Sequence, residues 1–503
     1  MRLIGLLAST TAMLATHAAA DITADDVWAN TTAMYQATGG TLDAEVTRDG
    51  STVFVDDVRL TYEFPFDFGR ITFGLPPMTM IEEDDGSVTQ KLPKSFDVDF
   101  SVESEPAMIE DFRFSALVTQ ADFVSTATGT PGDITYERSA GAIGATVDLN
   151  IDFEDVTVSF EITGDGYSQT TRVQEGDLLR ITSESETGDM RYSYQSDGGY
   201  DFSDEGSGEY GPTTGAFAAA LPANGFDLIN PAAAIQDGMF FDATTTQNGT
   251  RDESTTSFDG EVMTRTASSS GVGSSALRLS EDGFFVEAEV SDIQFMFEER
   301  EFIDLLADVN MNRMAVSYQV PLMARDTAQP VGLTLDMTGV VVNEELWDMA
   351  DATGTISRDP INVALDIVSD VILEVDLLDF ANLETAFDAP EPPFMPESLT
   401  INSLLIDAMG ANATGTGAFE FDATDTETFD GLPRPEGDAE ITIMGANALL
   451  DQLSAAGLVP DADLGGVRMM LGMFTRPAGD DTLTSTLAVN PEGQVLVNGE
   501  RIR

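Results

Sequence analysis

Long runs in which apolar and polar residues alternate constrain the fold of this chain more than any other feature. One such run has Leu333, Leu335 and Met337 on one side and Thr334, Asp336 and Thr338 on the other. A period of two is the spacing that a β-strand with one buried face requires. The same pattern returns at 361–367, after a short helix predicted at 343–350.

The alternation extends through most of the chain. It is clearest at 96–103, 147–153, 156–162 and 284–297. Each run places apolar residues on one face and polar residues on the other, as in an antiparallel sheet that is wet on one side. We therefore predict a mainly β (β-rich α+β) fold. It has large, elongated, curved antiparallel sheets, a few short helices at the joints, and a C-terminal unit of two helices and a hairpin.

Short helices are predicted between the strands. They lie at 23–36, 216–221, 230–238, 301–308, 447–456 and 463–474. The first opens on Thr23 and Asp26, which have the spacing of a capping box with Asp in place of Glu. In the last, the residues at i, i+3, i+4 and i+7 are Val467, Met470, Leu471 and Phe474. This spacing predicts that the methionine-bearing face packs into the core.

The first twenty residues have the form of a secretory signal peptide. Arg2 precedes an apolar run, and the small residues at 18–20 are those that a signal peptidase reads. The run is too short to cross a bilayer, and no later stretch is long and apolar enough to do so. We therefore predict export to the periplasm of a Gram-negative cell, with cleavage before Asp21.

The predicted organisation has three parts. Residues 1–20 form the signal peptide, residues 21–215 an N-terminal β-rich half with one leading helix, and residues 216–503 a C-terminal β-rich half. The last part includes a strand–helix–helix–hairpin unit at 438–503.

The charge of the chain is strongly negative. It has 88 Asp and Glu residues against 23 Lys and Arg residues. Loss of Arg2 with the signal peptide leaves 22 basic residues and a net charge of −66. Such a surface repels nucleic acid and anionic lipid headgroups, and it suits salty surroundings that screen self-repulsion. Nucleic acid is therefore excluded as a partner.

Two reactive residue types are missing from the exported chain. Cys is absent, and the single histidine, His17, leaves with the signal peptide. Disulfides, Ser-His-Asp and Cys-His catalysis, zinc fingers and haem ligation by His are thereby excluded. Lys occurs only at 91 and 94 and never follows a Gly, so there is no P-loop. No catalytic, cofactor-binding or metal-binding residue is singled out, and we predict a protein that is not an enzyme and has no cofactor.

Three motifs carry weak functional signals. Residues 206–211 match the dinucleotide fingerprint GxGxxG by letter, but no apolar strand precedes them, which favours an acidic turn. The acidic runs 82–86 and 422–425 are candidates for calcium. Neither has the spacing of an EF-hand loop, and a solvated charged turn is the better interpretation. With so many acidic residues, the sequence singles out no carboxylate pair for a glycosidase.

The corner after the first alternating strand resembles that of a known family. The residues that carry the resemblance are Glu345, Leu346, Trp347 and Asp351, followed by Arg358, Asp359 and Pro360. Family members tend to show Trp, Asp-Pro and then Pro-Arg-Asp-Pro, whereas here Ala352 and Ser357 replace two of the prolines. The segments 410–421 and 497–499 are similar too. Over most of its mature length the chain resembles domain of unknown function family 2125, an uncharacterised family of exported alphaproteobacterial proteins. The resemblance implies no catalytic residues.

The large one-sided sheets are also similar to those of envelope proteins that hold lipid in a β groove. We therefore predict a non-enzymatic cell-envelope protein whose concave sheet binds an apolar or amphipathic molecule, or an envelope partner. A carboxylate-based glycan hydrolase and a structural, calcium-stabilised β protein stay open as alternatives. The deciding feature is whether the sheet closes on itself or leaves an open apolar trough.

Overall fold

The structure, a computed structural model, describes residues 22–63, 69–104, 112–151, 156–198, 201–387, 393–429 and 431–503. The predicted signal peptide at 1–20 lies outside the described residues. Export with cleavage after Ala20 therefore stays a prediction.

The described residues form 27 β-strands and six α-helices, which confirms the predicted mainly β fold. The helices are α1 (Ala24–Ala37), α2 (Pro231–Gln236), α3 (Glu344–Ala350), α4 (Phe380–Phe387), α5 (Ala446–Ala455) and α6 (Asp461–Phe474). Helices α1, α2, α3, α5 and α6 lie where the sequence predicts them. None of the described helices combines the length and the apolar character that a membrane crossing requires.

The first half of the strands leads up to α2. They are β1 (Thr41–Asp49), β2 (Thr52–Glu63), β3 (Gly69–Gly74), β4 (Met78–Glu82), β5 (Val88–Lys91), β6 (Ser95–Ser104), β7 (Phe112–Ala121), β8 (Val124–Thr130), β9 (Asp133–Ile151), β10 (Val156–Gln174), β11 (Leu178–Thr187), β12 (Met190–Gly198), β13 (Phe202–Tyr210) and β14 (Thr213–Pro222).

The remaining strands follow α2. They are β15 (Phe240–Phe258), β16 (Glu261–Ser280), β17 (Gly283–Glu299), β18 (Leu305–Val320), β19 (Gln329–Val342), β20 (Ile361–Leu373), β21 (Phe394–Ala408), β22 (Ala411–Asp422), β23 (Arg434–Met444), β24 (Arg476–Gly479), β25 (Thr482–Val489), β26 (Val495–Val497) and β27 (Glu500–Arg501).

All of these strands belong to one antiparallel sheet. From β15 to β23 each strand pairs with the next one in sequence, and β25, β26 and β27 continue the sheet. Earlier in the chain, some strands lie end to end on one long neighbour. Both β11 and β12 pair with β10, and both β13 and β14 pair with β15. This meander arises because antiparallel neighbours can be joined by short turns.

The breaks between end-to-end strands line up across the sheet. Gly188 lies between β11 and β12, opposite Asp165 of β10, and Gly211 lies between β13 and β14, opposite Asn248 of β15. A Cβ on Gly188 would lie 1.6 Å from the carbonyl oxygen of Asp165, and one on Gly211 would lie 1.8 Å from that of Asn248. Only glycine permits so close a backbone approach. These breaks form a crease, and such irregularities bend long strands and increase their twist.

The N-terminal part of the sheet curves around α1. This helix contacts β1, β2, β4 and β11. In a flat sheet, β1 and β11 would lie about 33 Å apart, which is seven strand spacings. A helix of 14 residues is only about 21 Å long and about 10 Å wide. The strands must therefore wrap around the helix, so the face that α1 covers is concave. We call it the inner face, and the opposite one the outer face.

Helix α1 begins as its sequence predicts. The Thr23 hydroxyl accepts a hydrogen bond from the Asp26 backbone N–H at 3.2 Å, and the Asp26 carboxylate accepts one from the Thr23 N–H at 2.8 Å. Both halves of the capping box are therefore present. The helix packs in the main hydrophobic core, whose largest members include Val53, Val88, Tyr136, Val173, Leu179, Leu221 and Ile235.

Asn30 is a fully buried polar residue in this core. Its amide nitrogen donates to Glu175 Oε1 at 2.8 Å, and its carbonyl oxygen accepts from the Tyr136 hydroxyl at 2.9 Å. Buried polar groups are nearly always hydrogen-bonded, because an unpaired one is costly. Asn30 thus ties α1 to β9 and to the turn after β10.

The connections that precede β15, β19 and β21 pack against the core around α1, through Ile235, Met323 and Leu378. Asp376 accepts hydrogen bonds from the Gln236 amide at 3.0 Å and from the Ala324 backbone N–H at 2.8 Å. The Phe380 N–H donates to the Ile229 carbonyl at 3.0 Å. These contacts join the three connections into one cover.

Two predicted helices are wrong. The helix predicted at 216–221 is part of strand β14. The helix predicted at 301–308 is a bend followed by the start of β18. The first segment is rich in alanine, which favours helix in isolation. However, β14 lies between β11 and β15 and pairs with both, so tertiary pairing overrides the local preference. The predicted domain boundary between residues 215 and 216 falls inside this strand.

The predicted core face of α6 is also wrong. Leu464 is buried, and Val467 and Leu471 are partly buried. Met470 is 53% exposed and Phe474 is 41% exposed. Apolar residues extend around most of this helix, so spacing alone could not select the face that packs.

Replacement of Asn30 by alanine should lower the free energy of unfolding by about 1–3 kcal/mol, because Tyr136 and Glu175 would lose a buried hydrogen-bond partner. Denaturant unfolding followed by circular dichroism measures this change. Gln36→Ala is the matched control, since Gln36 is exposed on the same helix and its replacement should change stability by less than about 0.5 kcal/mol. Equal effects of the two substitutions would contradict the role assigned to Asn30.

Candidate functional site

One continuous row of cross-strand neighbours crosses the inner face from β5 to β26. Its members are Val88, Ala127, Tyr136, Thr171, Ser183, Phe217, Ala243, Leu277, Val286, Tyr318, Leu333, Ile367, Ile401, Gly417, Ala439, Leu487 and Val497. Each pairs directly with the next. Residues directly opposite each other in antiparallel strands lie on the same face of the sheet, so the whole row belongs to the inner face.

The two parts of this row differ sharply in burial. Val88 and Tyr136 are fully buried in the α1 core. Leu277 and Tyr318 are each 41% exposed, and Leu333 is 40% exposed. An apolar sheet face is normally covered by a second layer of structure. Over β16 to β19, the described residues leave these side chains only half covered.

Neighbouring rows extend this apolar surface. One comprises Ala288, Val316, Leu335, Leu365 and Leu404, and another comprises Val290, Met314, Met337, Val363 and Ile406. The first row adds Leu277, Val286, Tyr318, Leu333, Ile367 and Ile401 to this surface. We call these three sets of residues together the apolar zone. On the outer face of the same strands, Arg313 forms ion pairs with Glu289 at 2.8 Å and with Asp336 at 3.1 Å. The sheet is therefore strongly amphipathic here.

The described pairings do not close the sheet into a barrel. Strand β1 pairs only with β2, and β27 pairs only with β26. Two free edges leave the inner face accessible from the side. Within the described residues, the apolar zone is therefore a half-exposed surface of a sheet that does not close into a barrel.

A polar strip of small residues lies beside the apolar zone. It is the row Ser185, Gly215, Thr245 and Ser275, on β11, β14, β15 and β16. Small polar side chains cannot bury much apolar area. At the other end of the same strands, Leu221, Phe241 and Leu279 pack in or against the α1 core, so the strip interrupts the apolar surface only at its own level.

The GxGxxG segment at 206–211 is largely strand β13, not the turn that the sequence favours. Gly206 pairs with Tyr194 and Gly208 with Tyr192. A Cβ on Gly206 would lie 2.5 Å from the Tyr194 ring, and one on Gly208 would lie 2.3 Å from the Tyr192 ring. The two glycines thus make room for aromatic rings from the neighbouring strand. Their role is packing within the sheet and not the phosphate binding that the GxGxxG motif serves elsewhere.

The inner face has a depression of about 410 Å³ where the polar strip meets its apolar neighbours. Its lining includes Arg138, Ser183, Phe217 and Ala243. Two other depressions, of about 360 and 610 Å³, are lined mainly by Ser, Thr and Glu. Ligand sites usually combine an apolar wall with a few polar groups, so the inner depression is the better candidate.

The alternating pattern correctly identified Leu333, Leu335 and Ile367 as members of one face. It did not single out Leu277 or Tyr318. Both lie in strands where Ser, Gly or Asn interrupts the apolar alternation. The period-two signal is weak in such strands, and only the register of neighbouring strands reveals their shared face.

The corner that carries the family resemblance is a self-contained joint. Asp351 is fully buried. Its carboxylate accepts hydrogen bonds from the Ile356 N–H at 2.7 Å and from the hydroxyls of Thr353 and Thr355 at 2.7 and 3.1 Å. These bonds, that from Ile356 first, lower the pKa of Asp351 to about 2.

Arg358 holds α3 beside this joint. Its guanidinium forms ion pairs with Glu344 and Asp348, both on α3, and donates to the Asp351 carbonyl at 3.3 Å. The polar groups of the corner thus satisfy one another. We interpret it as a structural connection between β19 and β20.

Both acidic runs considered for calcium have partners within the chain. Asp85 accepts from the hydroxyl and the N–H of Ser87. Asp422 and Asp425 accept from Arg434 at 2.7 and 3.1 Å. Within the described residues, no group of three or more acidic side chains is placed to hold a metal ion.

Hydrogen bonds also set the charge state of these carboxyls. The hydroxyl of Ser87 lowers the pKa of Asp85, and that of Thr424 lowers the pKa of Asp422. The general acid of a glycosidase requires the opposite shift. These carboxyls therefore suit structural roles.

The contribution of Asp351 to stability should disappear as the pH falls from about 4 to about 2. Its pKa in the folded chain, about 2, is below the ordinary value of about 3.9, so the unfolded chain takes up the proton first. Asp351→Asn should lower the melting temperature at pH 7 by roughly 2–4 °C, and the difference from the wild type should shrink towards pH 2. Glu345→Gln on α3, which is exposed, is the control. A difference that is constant with pH would contradict this assignment.

Comparison with known proteins places this architecture in a family. Neither curated proteins nor solved structures gave a match to the chain. Residues 239–499 match a family described as an uncharacterized protein conserved in bacteria, DUF2125. This match covers more than half of the chain and contains the whole apolar zone and the Asp351 corner. The chain therefore belongs to the DUF2125 family.

Proposed function

We propose that this protein is an exported, non-enzymatic protein of the cell envelope that binds an apolar or amphipathic molecule on the apolar zone. The observation that carries the proposal is the half-exposed row of Leu277, Tyr318 and Leu333 in the middle of a sheet. Such side chains gain free energy when a ligand covers them. The signal-peptide features of residues 1–20 support a location in the envelope.

The apolar zone is large enough to hold an extended molecule. It runs across the strands from β16 to β21, about 24 Å at the usual strand spacing. Continuous exposed apolar patches above a few hundred Å² mark binding surfaces in soluble proteins. Each Å² that a ligand covers contributes roughly 25 cal/mol before the entropy cost of binding. An extended apolar chain laid across the strands would use this surface well.

The chemistry beside the zone favours an amphipathic ligand over a purely apolar one. The polar strip offers hydroxyl groups next to the apolar surface, and the depression of about 410 Å³ joins the two. A molecule with a polar head and an apolar tail could therefore satisfy both parts at once.

Leu333→Glu should weaken ligand binding at least about tenfold, because the new carboxylate would lose its hydration beneath the ligand. Val368→Glu is the matched control. Val368 lies on the neighbouring strand and is 38% exposed, but its partner there is Gly332, so it lies on the outer face. Native mass spectrometry of protein released gently from the periplasm measures the bound molecule.

The result separates the possible occupants. Wild-type protein without a bound molecule, or equal loss in both variants, would contradict the proposal. A bound polypeptide in place of a small molecule would favour an envelope protein as the partner.

Export is tested independently. The intact mass of protein recovered from the periplasm should begin at Asp21, because the small residues at 18–20 are those that a signal peptidase reads. Retention of the first twenty residues, or recovery from the cytoplasm, would contradict export and leave the binding test unaffected.

A further inference from the structure

Arg138 is an isolated cation on the inner face. It lies on β9 two residues after Tyr136, so its side chain shares the face of that residue. Gln169, its partner on β10, lies on the same face. Among the described inner-face positions of β8 to β25 on the α1 side of the crease, Arg138 is the one Lys or Arg. A positive charge is therefore placed at a single point of a long surface.

Arg138 also lacks the acidic partner that most arginines of this chain have. Arg172 pairs with Asp133 at 2.7 Å, for example. The Arg138 guanidinium instead donates to the neutral Gln169 Oε1 at 2.9 Å, and its central carbon lies 4.9 Å from the centre of the Tyr136 ring. In the described part of the chain, no carboxylate lies within ion-pair distance of it. A partly buried charge without a counter-ion is costly, and an anion bound there would remove that cost.

Three buried or partly buried tyrosines lie near Arg138, which is itself partly buried. Burial raises the pKa of Tyr35, Tyr136 and Tyr167, and the positive charge of Arg138 acts in the opposite direction on all three. These tyrosines come from α1, β9 and β10, so three elements meet around the guanidinium. Low local polarity strengthens a hydrogen-bonded ion pair.

The depression of the inner face connects Arg138 to the apolar zone. On one side it is lined by Arg138 and by Thr171 and Ser183, whose hydroxyl oxygens lie 3.0 Å apart. On the other side it is lined by Phe217 and Ala243. Ala243 pairs with Leu277, where the exposed part of the row begins. Cation, hydroxyls and apolar wall thus follow one another along a single path.

We propose that Arg138 binds the anionic headgroup, a carboxylate or a phosphate, of an amphipathic molecule whose tail lies on the apolar zone. This inference rests on the proposed function. A guanidinium matches both anions because its N–H groups can donate two parallel hydrogen bonds. The rest of the strongly acidic surface repels an anion, so the headgroup has one favourable position and the ligand one orientation.

Three probes with the same tail and different heads test this inference. They are dodecanoate, dodecyl phosphate and dodecanol, titrated into the full mature protein by isothermal titration calorimetry. Arg138→Gln should weaken the two anionic probes about 10- to 100-fold, as expected for loss of a charge-assisted hydrogen bond. Its affinity for dodecanol should change by less than about twofold. Arg138→Lys should keep part of the affinity for the anions, since it keeps the charge but not the paired donors.

Arg180→Gln is the matched control, because Arg180 lies on β11 near the same end of the sheet but is exposed on the outer face. This variant should bind all three probes like the wild type. Circular dichroism and the melting temperature of Arg138→Gln should match those of the wild type. A preference of the wild type for one anion would identify the headgroup as a carboxylate or as a phosphate.

The failures of the two proposals are distinguishable. If the wild type binds the three probes equally and Arg138→Gln binds them like the wild type, the headgroup inference is wrong and the apolar zone stands as a binding surface. Equal weakening of dodecanol by Arg138→Gln would show a structural role and also overturn the inference. If the wild type binds none of the probes, the proposed function itself is contradicted.

Discussion

Backbone hydrogen bonding between neighbouring strands is the interaction on which the whole structure depends. The chain has no Cys, so no disulfide holds its distant parts together. Continuity comes instead from long pairings such as those of β9 with β10 and of β15 with β16. Because such pairing fixes the direction of alternate side chains, it also creates two faces that run through the entire sheet. The aligned breaks at Gly188 and Gly211 let this sheet bend without losing its register.

A one-sided sheet needs cover for its apolar face, and α1 provides this cover only at the N-terminal strands. There the sheet wraps around the helix, and Val27, Asn30 and Tyr136 become fully buried. Beyond the polar strip, the same face continues over β16 to β21, where no other part of the described chain gives comparable cover. Leu277, Tyr318 and other side chains of this face stay half exposed. This uneven cover gives the protein both a buried core and a half-exposed apolar surface.

The acidic outer surface makes such an open structure tolerable. Exposed sheet edges and apolar faces favour association between chains. A strongly negative surface opposes that association by mutual repulsion. Most arginines, such as Arg313, form ion pairs with neighbouring carboxylates on this surface. Arg138 differs from these arginines, because it faces inward and has no acidic partner among the described residues.

The sequence by itself determined the features that depend on local geometry. The alternation around Leu333 predicted strands with one apolar face, and the spacing of Thr23 and Asp26 predicted the start of α1. Both were confirmed because side-chain direction and helix capping depend only on residues close together in the chain. The absence of Cys, and of His after residue 17, likewise excluded whole classes of chemistry without any structure.

Only the tertiary structure decided which surfaces are covered and which charges are paired. Residues 216–221 became a strand because β11 and β15 pair with it on both sides. Met470 lies outside the packed face of α6, although its spacing fits the inside. Arg138 received its place beside the depression of the inner face because strands from β9 to β15 meet there. Each outcome depends on contacts between residues far apart in the chain, and a period of two or of 3.6 residues contains no information about such contacts.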